Sequence, residues 1–512
     1  MILEVLQEII QEKVMDSFTG TGRITWQELF CREQKGTECE IIIFGASGDL
    51  SGRKLFPALF SLFQCGLLHK NTCIKGCARH PYTSGSFREY IKEFLSVSEQ
   101  DTAKMKENFL SRISYTRLDY TLENDFKVLA KEIFTEEKKY KPIIFYLALP
   151  SPLYAVTVEN LYKTGLLSEE YGKRHVVFEK PFGYDLESFL LLDNALKKYL
   201  TEEQIYRIDH YLGKETVQNI FLLRFANRIF EPLWNREHVA EIQITAAETL
   251  GVEKRAGYFD KAGIVRDMFQ NHLLENLCLV TMESPQIFSA DAIRDEKVKL
   301  IRAIRKPGIA DAVRAQYEGY TEEKGVAAKS RTESYAAMRL FIDNDRWRGI
   351  PIYLRAGKRL GSKKTEVDII FREVDKSIFP GIRREDLQRN ILHLHIQPQE
   401  GVGLTLEAKM PGPKLCMGGL TLSYAYASVQ KSGSVILDAY ARLLLDCQNM
   451  DQTLFIRKDV IESSWRLYKD LLDSWAAEKS CELPRYPQYS SGPREADLLL
   501  RETGSSWIDF LS

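Results

Sequence analysis

Residues 41–50 read Ile41-Ile42-Ile43-Phe44-Gly45-Ala46-Ser47-Gly48-Asp49-Leu50. The four apolar residues that begin this stretch form an uninterrupted run, which is typical of a strand buried on both faces of a parallel sheet. After the glycines, apolar residues recur with helical spacing at Leu55, Phe56, Leu59, Phe60 and Phe63. The stretch therefore predicts a strand, a tight turn and a helix, in that order.

A glycine turn between a buried strand and a helix suits a dinucleotide. Glycines let the backbone approach a pyrophosphate, and the helix N-terminus offers N–H donors and positive potential. The turn is not the usual G-x-G-x-x-G, because two residues separate its glycines. Turns of purely structural role also use glycines, and that alternative stays open at this point. The candidate cofactor contacts here are Gly45, Ala46, Ser47, Gly48, Asp49, Leu50 and Arg53.

The end of the next predicted strand, residues 72–78, bears on which dinucleotide binds. NAD sites usually place an Asp or Glu there to bind the ribose 2′-hydroxyl. In this chain Arg79 follows the strand, and no acid stands beside it. Since a 2′-phosphate binds cations, the sequence favours NADP. The alternative is that Arg79 is a solvated surface residue.

Hydrophobic patterning divides the rest of the chain into two regions. Further buried runs at 143–149 and 175–179 alternate with helical stretches, which predicts a parallel, doubly wound sheet. Beyond about residue 210, polar and apolar residues alternate at 240–246, 365–369, 390–397 and 403–409, which predicts a mostly antiparallel sheet with one covered face. Helical stretches are expected at 264–280 and 460–475, and an exposed connection at 309–331.

The predicted fold class is an α/β dinucleotide-binding domain followed by a larger α+β domain. We place an N-terminal amphipathic extension at 1–38, the cofactor domain at 39–208, and a domain for substrate binding and oligomerisation at 209–512. A length of 512 residues is too great for one ordinary domain. Residues 2–14 of the extension have the spacing of an acidic amphipathic helix, unlike a signal peptide or a transit peptide.

Composition excludes several classes of partner. The formal net charge is -1, so no long-range field favours nucleic acid. No run of about 18 apolar residues is present, so no membrane span is expected. The nine cysteines are scattered without a CxxC pair, which favours reduced thiols, no metal site and a cytoplasmic protein.

Five motifs occur in an order that resembles the glucose-6-phosphate dehydrogenase family: 45–50 (GASGDL), 179–183 (EKPFG), 207–214 (RIDHYLGK), 266–272 (RDMFQNH) and 355–358 (RAGK). The eight-residue segment 207–214 is the most specific, and the resemblance covers about residues 40–500. It implies a Rossmann-like domain, an α+β domain with a large antiparallel sheet, an active site between them, NADP as hydride acceptor, glucose 6-phosphate as substrate, and homodimers or homotetramers.

The resemblance implies three catalytic residues. Oxidising an alcohol needs a base for the hydroxyl proton, and histidine suits that role because its pKa lies near neutrality. By resemblance His272 is the base, Asp209 orients its other ring nitrogen, and Lys180 reaches both cofactor and sugar. Judged from the residues alone, His272 is equally an ordinary core or surface histidine. Pro181 favours an extended or cis geometry at Lys180, and Tyr154 is expected to line the cofactor cleft.

The resemblance also implies the substrate contacts. A sugar phosphate demands cations and donors, for which the family match offers His210, Tyr211 and Lys214. Sugar hydroxyls are expected to bind the carboxylates of Glu248 and Asp267. Lys358, Lys363 and Gln397 match further family contacts, although Lys363 stands where many relatives have Arg. Taken alone, Lys214 is equally a solvated surface lysine.

Some eukaryotic relatives bind a second, structural NADP in the C-terminal domain, and this chain departs from that pattern. Arg355 and Lys364 fit it. Where those relatives have arginines, this chain has Asp368, His395 and Ser491. Where they have a tyrosine and a lysine, it has Gly403 and Thr405. Since an acid such as Asp368 beside a phosphate is electrostatically unfavourable, we expect no second site.

Two other functions compete with this prediction. One is a different two-domain sugar oxidoreductase, of the glucose–fructose oxidoreductase type, which also carries Glu-Lys-Pro after a strand but lacks the segment 207–214. The other is a non-catalytic binding protein on the same fold, which loss of His272, Asp209 or Lys180 would signal. All three residues are present.

Overall fold

The fold was obtained as a computed structural model, which describes residues 35–95, 103–134, 140–413, 416–426, 437–478 and 482–509. The predicted N-terminal helix at 2–14 lies outside the described residues. Across the described part of the chain, every helix is too short or too polar to span a bilayer. The seven cysteines in these segments are unpaired.

The first domain is built on six parallel strands in the order β3-β2-β1-β4-β5-β6. This order is that of a doubly wound, Rossmann-like sheet. The strands are β1 (Glu40–Phe44), β2 (Cys73–Ala78), β3 (Ile113–Arg117), β4 (Ile143–Leu147), β5 (Arg174–Phe178) and β6 (Ile205–Arg207). β1, at the centre, has all five residues buried, as its uninterrupted apolar run predicts. The glycine turn leaves β1 between β2 and β4, where such sheets bind ligands.

Helices cover both faces of this sheet. A π-helical turn at Ser51–Leu55 follows the glycine turn and continues directly into α1. The α-helices of the domain are α1 (Phe56–Gln64), α2 (Ser84–Lys92), α3 (Ala103–Ser111), α4 (Glu123–Ile133), α5 (Tyr154–Lys163) and α6 (Leu186–Leu196). The parallel sheet ends with Arg207, and the domain boundary between 208 and 209 stays a prediction.

The second domain contains nine strands in the order β14-β13-β12-β11-β7-β10-β9-β8-β15. The pairs β7–β10 and β8–β15 are parallel and the other pairs are antiparallel. The strands are β7 (Val239–Ala247), β8 (Ala312–Tyr317), β9 (Tyr335–Leu340), β10 (Ile352–Gly357), β11 (Lys364–Phe371), β12 (Ile391–Gln397), β13 (Gly401–Lys409), β14 (Met417–Ala425) and β15 (Arg485–Tyr486). The predicted fold class is confirmed.

The helices of the second domain pack on this sheet and on each other, and two of them also pack on helices of the first domain: Ala439–Gln448 on Phe56–Gln64, and Lys458–Ala477 on Leu186–Leu196. The helices of the second domain are α7 (Glu215–Phe225), α8 (Ala256–Ile264), α9 (Leu274–Thr281), α10 (Ala290–Ala303), α11 (Ala439–Gln448), α12 (Lys458–Ala477) and α13 (Glu495–Arg501). A π-helical segment at Val265–Leu273 joins α8 to α9. The predicted helical stretches 264–280 and 460–475 are thus confirmed, although the π geometry was not foreseen.

The expected exposed connection at 309–331 is wrong. Residues Ala312–Tyr317 form β8, and the rings of Tyr317 and Tyr320 are buried. The polar residues of this segment suggested a loop, but β8 lies near the edge of the sheet, where its neighbours are β9 and the two-residue strand β15. Polar side chains are common where a strand's outer face meets solvent.

The alternation in β7 was expected to mark one covered face, but both faces are covered. Glu241, Gln243 and Thr245 are each less than 5% exposed. The C-terminal segment lies over them: Gln243 donates to the Ser506 carbonyl at 2.8 Å, and the Ile508 N–H donates to Gln243 Oε1 at 2.8 Å. These polar groups are therefore buried with hydrogen-bond partners, which makes their burial tolerable.

Gly263 marks the point where α8 meets the π-helical segment. Its backbone has φ 73° and ψ 168°, a conformation essentially confined to glycine. A Cβ at this position would lie 2.2 Å from Glu333 Oε1. Because Glu333 is buried and its oxygen accepts from the Val265 N–H, the neighbour has little freedom to move.

We predict that Gly263→Ala destabilises the protein and misplaces the π-helical segment. The strained backbone alone costs about 1–3 kcal/mol, and the overlap with Glu333 adds to it. Thermal unfolding measures the loss. Gly66→Ala is the matched control, since its φ is 69° and nothing lies within 4 Å of the added methyl. Equal melting temperatures for the two variants would contradict the prediction.

Candidate active site

The motif residues come together between the two sheets, most of them at the ends of strands and two of them, Asp267 and His272, within the π-helical segment Val265–Leu273. Lys180 follows β5, and the segment from Asp209 to Lys214 lies between β6 and the start of α7. Glu248 follows β7, Lys358 follows β10, and Gln397 ends β12. Loops at strand ends are where catalytic residues collect, because the rigid strands fix their positions.

His272 and Asp209 form the buried centre of the site. The His272 Nδ1–H group donates to Asp209 Oδ1 at 2.5 Å, and both side chains are nearly inaccessible to solvent. The same carboxylate oxygen accepts the backbone N–H of Tyr211 at 2.9 Å. The Tyr211 ring stacks on the imidazole with centroids 4.0 Å apart. These contacts fix the orientation and the tautomer of the histidine.

Burial and charge keep this pair in the state that a base requires. Burial lowers the pKa of His272 below its ordinary value, with Asp209 opposing and Lys180 adding to the shift. For Asp209, burial raises the pKa, but His272 and Lys180 outweigh that effect and hold it well below its usual range. At neutral pH the imidazole is therefore uncharged and the carboxylate ionised.

Lys180 contacts the other nitrogen of the same imidazole. Its Nζ donates to His272 Nε2 at 2.6 Å. The Lys180–Pro181 peptide bond is cis, one of the two geometries expected for this motif. Burial lowers the pKa of Lys180, although Asp209 and Asp267 oppose the shift. The proton-accepting nitrogen of His272 thus lies against a cation.

A group of cations and donors lies beside His272. Lys214 donates to Gln397 Oε1 at 2.7 Å, and its Nζ is 4.6 Å from the Tyr211 ring centroid. Gln397 in turn donates to the Tyr211 hydroxyl at 3.1 Å. Burial lowers the pKa of Lys214 to about 8, and Lys363 adds to the shift through like-charge repulsion while Glu400 opposes it. This pocket has the charge that a phosphate requires.

His210 lies against the same imidazole. Its ring meets that of His272 edge-on, with centroids 4.9 Å apart. Burial and the neighbouring His272 lower the pKa of His210 well below its ordinary value. His210 is therefore a neutral donor and acceptor rather than a fixed charge.

Carboxylates form the opposite side of the site. Lys358 donates to Glu248 Oε2 at 2.5 Å and lies 3.8 Å from Asp267 Oδ2. Arg255 donates to Asp267 Oδ1 at 3.1 Å. Burial raises the pKa of Asp267, but Arg255 and Lys358 outweigh it and lower the pKa overall. Asp267 is thus an ionised acceptor, and the carboxylates of Glu248 and Asp267 together suit the hydroxyl groups of a sugar.

The glycine turn packs tightly against the residues that follow β4 and leads directly into a helix N-terminus. Gly45 has φ 79°, and a Cβ there would lie 2.1 Å from the carbonyl oxygen of Ala148. The Gly48 N–H donates to the Gly45 carbonyl at 2.9 Å, which closes the turn. The first N–H groups of the helix that follows have no partner within it. The turn therefore fits a dinucleotide.

The strand register places Arg79 next to this turn. Phe44 pairs with Cys77, so Gly45 lies beside Ala78 and Arg79 follows. Arg53, also expected to bind the cofactor, forms an exposed ion pair with Asp49 at 2.6 Å. Sequence reasoning missed Arg117, at the end of β3, whose Nε donates to the Arg79 carbonyl at 3.3 Å.

Tyr154 and two further tyrosines lie behind Lys180. Tyr154 is fully buried, and its hydroxyl donates to the Glu179 carbonyl at 2.7 Å. Tyr146 donates to Glu179 Oε1, and the Tyr440 ring lies parallel to that of His210. Sequence reasoning missed Tyr146, Tyr440 and Arg255, because no local pattern links these positions to the motifs.

Two of the residues that depart from the second-nucleotide pattern, Asp368 and His395, form carboxylate–imidazole pairs on the polar face of the large sheet. Asp368 pairs with His393 at 2.6 Å, and Glu366 pairs with His395. Burial raises the pKa of Asp368 to about 6 in spite of the His393 hydrogen bond. Arg355 lies over the Trp507 ring and donates to the Ile508 carbonyl at 2.7 Å.

Comparison with known proteins covers both domains. The family model described as glucose-6-phosphate dehydrogenase, NAD binding domain, matches residues 42–219. The model described as the C-terminal domain of the same family matches residues 221–508. Together they span the parallel sheet, the large sheet and all of the site residues described above.

Individual proteins agree with these matches. A glucose-6-phosphate 1-dehydrogenase from Treponema pallidum is 42% identical over 91% of this chain and 94% of its own length. A cytoplasmic glucose-6-phosphate 1-dehydrogenase from Arabidopsis thaliana is 41% identical, over 91% of each. A solved glucose-6-phosphate dehydrogenase in complex with its substrate glucose-6-phosphate has 35% identity and a TM-score of 0.87, over 94% of this chain and all of that one. The chain belongs to the glucose-6-phosphate dehydrogenase family.

Proposed function

We propose that this protein oxidises glucose 6-phosphate at C1 to the corresponding 6-phosphogluconolactone, with NADP as the hydride acceptor, the reaction that opens the pentose phosphate pathway. One observation carries the proposal: a neutral, buried His272 holds Nδ1 on Asp209 and presents Nε2 to Lys180. This is the arrangement of a general base whose second nitrogen is fixed by a carboxylate.

The base acts on the O1 hydroxyl. With substrate bound, O1 lies between His272 Nε2 and Lys180 Nζ, and Nε2 takes the hydroxyl proton. Asp209 stabilises the imidazolium that forms, because the buried carboxylate is already ionised. Lys180 donates to O1 and offsets the negative charge that develops there. A bound nicotinamide would supply the acceptor for the hydride that leaves C1.

The phosphate and the sugar are held at opposite sides of this base. His210, Tyr211, Lys214 and the exposed Lys363 surround the pocket for the phosphate. Glu248 and Asp267 accept hydrogen bonds from sugar hydroxyls, while Arg255 and Lys358 keep Asp267 ionised and Lys358 also pairs with Glu248. A sugar that lacks one hydroxyl leaves a buried acceptor unpaired, which gives the site its selectivity.

The choice of NADP rests on the end of β2. Arg79 lies beside the glycine turn, Arg53 and Arg117 add positive charge, and no carboxylate follows the strand. Residues 45–50 would hold the pyrophosphate through backbone N–H groups. Tyr154 supports the site from behind, through its hydrogen bond to the carbonyl of Glu179.

A non-catalytic scaffold is the second candidate, and the geometry argues against it. A binding protein has no need of a neutral imidazole between a buried carboxylate and a lysine. Activity on free glucose equal to that on glucose 6-phosphate would instead point to the unphosphorylated-sugar oxidoreductases.

We further propose a homodimer, or a dimer of dimers, in the cytoplasm. Leu404, Leu406, Leu420 and Leu422 lie on one face of β13 and β14, and Leu420 and Leu422 are 46% and 52% exposed. An apolar patch of this kind suits a second copy of the chain.

The carboxylates Glu366 and Asp368 disfavour a second NADP. Native mass spectrometry would count subunits and nucleotides together.

We predict that His272→Asn lowers kcat by about 10²–10⁴-fold, because the variant has no general base. KM for glucose 6-phosphate should change little, since the phosphate pocket stays intact. Absorbance of the reduced nicotinamide gives both constants. His238→Asn, at an exposed histidine outside the site, is the control and should retain wild-type activity. Full activity in His272→Asn would contradict the assignment of His272 as the general base.

We predict that kcat/KM falls as the pH rises through about 8, because Lys214 loses its charge in the free enzyme there. The bound phosphate keeps Lys214 protonated, so KM should rise while kcat stays level. Steady-state rates across the pH range give the two separately. Lys214→Arg should move this decline to higher pH, because arginine stays charged. A decline that keeps its position in Lys214→Arg would assign it to another group.

We predict that Arg79→Ala weakens NADP binding by about tenfold to 100-fold and leaves NAD binding nearly unchanged. A hydrogen bond to a charged group contributes about 1.5–3 kcal/mol, and only NADP carries the 2′-phosphate. Titration of both nucleotides by quenching of protein fluorescence measures the ratio. Arg348→Ala, at an exposed arginine far along the sequence, is the control. Equal losses for both nucleotides would mean that Arg79 supports the fold instead.

A further inference from the structure

Four ligand-type side chains lie together on the polar face of the large sheet, outside the active site. β11 and β12 are antiparallel, with Glu366 opposite His395 and Asp368 opposite His393. Residues two apart on a strand share a face, so the two cross-strand pairs form a compact square. We call these four residues the histidine–carboxylate cluster: Glu366, Asp368, His393 and His395.

The ligand atoms in this cluster are close enough to share one ion. A carboxylate oxygen from Glu366, one from Asp368 and a ring nitrogen of His393 all lie within 4.8 Å of one another. Nδ1 of His395 contacts Glu366 Oε2, and the imidazole rings of His393 and His395 are parallel within 2°. Ligands around a tetrahedral zinc ion lie about 2.0–2.2 Å from the metal, so Glu366, Asp368 and His393 need only small movements to share an ion. A turn of the partly exposed His395 ring supplies the fourth ligand.

Neighbouring groups already hold the potential ligands in suitable orientations. Lys364 occupies Glu366 Oε1 at 2.8 Å, which leaves Oε2 on the side of the histidines. The Oγ1 atom of Thr405 lies 3.1 Å from His393 Nε2, so Nδ1 is the nitrogen directed at the carboxylates. Metal-binding histidines commonly use their second nitrogen in this way, and metal-binding carboxylates are commonly hydrogen-bonded.

The third strand leaves room above the histidines. Gly403 stands opposite His393 and Gly401 opposite His395, so the two β13 residues paired with the histidines carry no side chain, and Thr405 approaches His393 from farther along the strand. The two carboxylates are almost fully buried, whereas His395 retains about a third of its exposure. An ion can therefore enter past His395 and reach the carboxylates beneath.

We propose that the histidine–carboxylate cluster binds one divalent transition-metal ion of the zinc class. Two imidazole nitrogens and two carboxylate oxygens form the mixed ligand set that such ions accept. The two carboxylates balance the charge of a divalent ion, and Lys364 and Arg355 are the cations that face them. The ion ties β11 to β12 on the face of the sheet away from the leucine patch.

The test is zinc binding by the full chain after treatment with a chelator. Metal content after gel filtration gives the stoichiometry, and competition with a chromophoric chelator gives the affinity. Wild-type protein should retain one zinc per chain, and Co²⁺ in its place should give the visible absorption of a tetrahedral site. Asp368→Asn and the double variant His393→Ala/His395→Ala should bind zinc at least about 100-fold more weakly, since each loses ligand atoms.

His272→Asn separates this site from the catalytic one. Asp209, His210 and His272 are a second group whose ligand atoms lie within 4.8 Å, and a zinc ion bound there would be lost in that variant. We expect His272→Asn to retain zinc and His238→Asn to behave as wild type. Circular dichroism checks the fold of every variant, and dehydrogenase activity checks the fold of the two cluster variants. The nearly isosteric Asp368→Asn serves if the double variant fails to fold. Zinc retention that survives both cluster variants, or no retention by wild type, overturns the proposal.

Discussion

A carboxylate without access to water holds the catalytic centre of this protein together. Asp209 has one strong partner, the imidazole of His272, and leaving that charge unpaired in the interior would be costly. Asp209 follows the last parallel strand, whereas His272 belongs to a helical segment packed on the large sheet. The hydrogen bond between them therefore joins the two domains at the active site, between Lys180 on one nitrogen of the imidazole and Asp209 on the other.

Features with a local physical cause could be predicted from the sequence. The run 41–44 is buried because it is apolar throughout, and the glycines after it are needed because Gly45 has no room for a side chain beside Ala148. Most of the motif residues come together because they follow strands, and Asp267 and His272 join them from the π-helical segment. The roles of these residues depended on the family resemblance, since a lone histidine such as His272 carries no sign of its partners.

Features that depend on distant segments could not be predicted. The alternation of polar and apolar residues in β7 predicts that Gln243 faces solvent, but it does not show that the C-terminal segment lies over this residue. Tyr440 reaches His210 from a helix more than 200 positions away in the sequence, and no spacing rule connects the two. Similarly, the sequence shows that Asp368 departs from the family pattern for a second nucleotide. Its pairing with His393 becomes visible only from the register of β11 and β12.

The π-helical segment gives the site an unusual sensitivity to chain length. In π geometry the backbone hydrogen bonds join residues five apart, which brings Asp267 and His272 closer to one face than an α-helix would. Each residue of an α-helix turns the chain by about 100°. Losing one residue between these two positions would therefore rotate α9 against its packed neighbours or turn the imidazole away from Asp209. Substitutions can accumulate along 265–273, but insertions and deletions cannot, so alignments of this family should be free of gaps there.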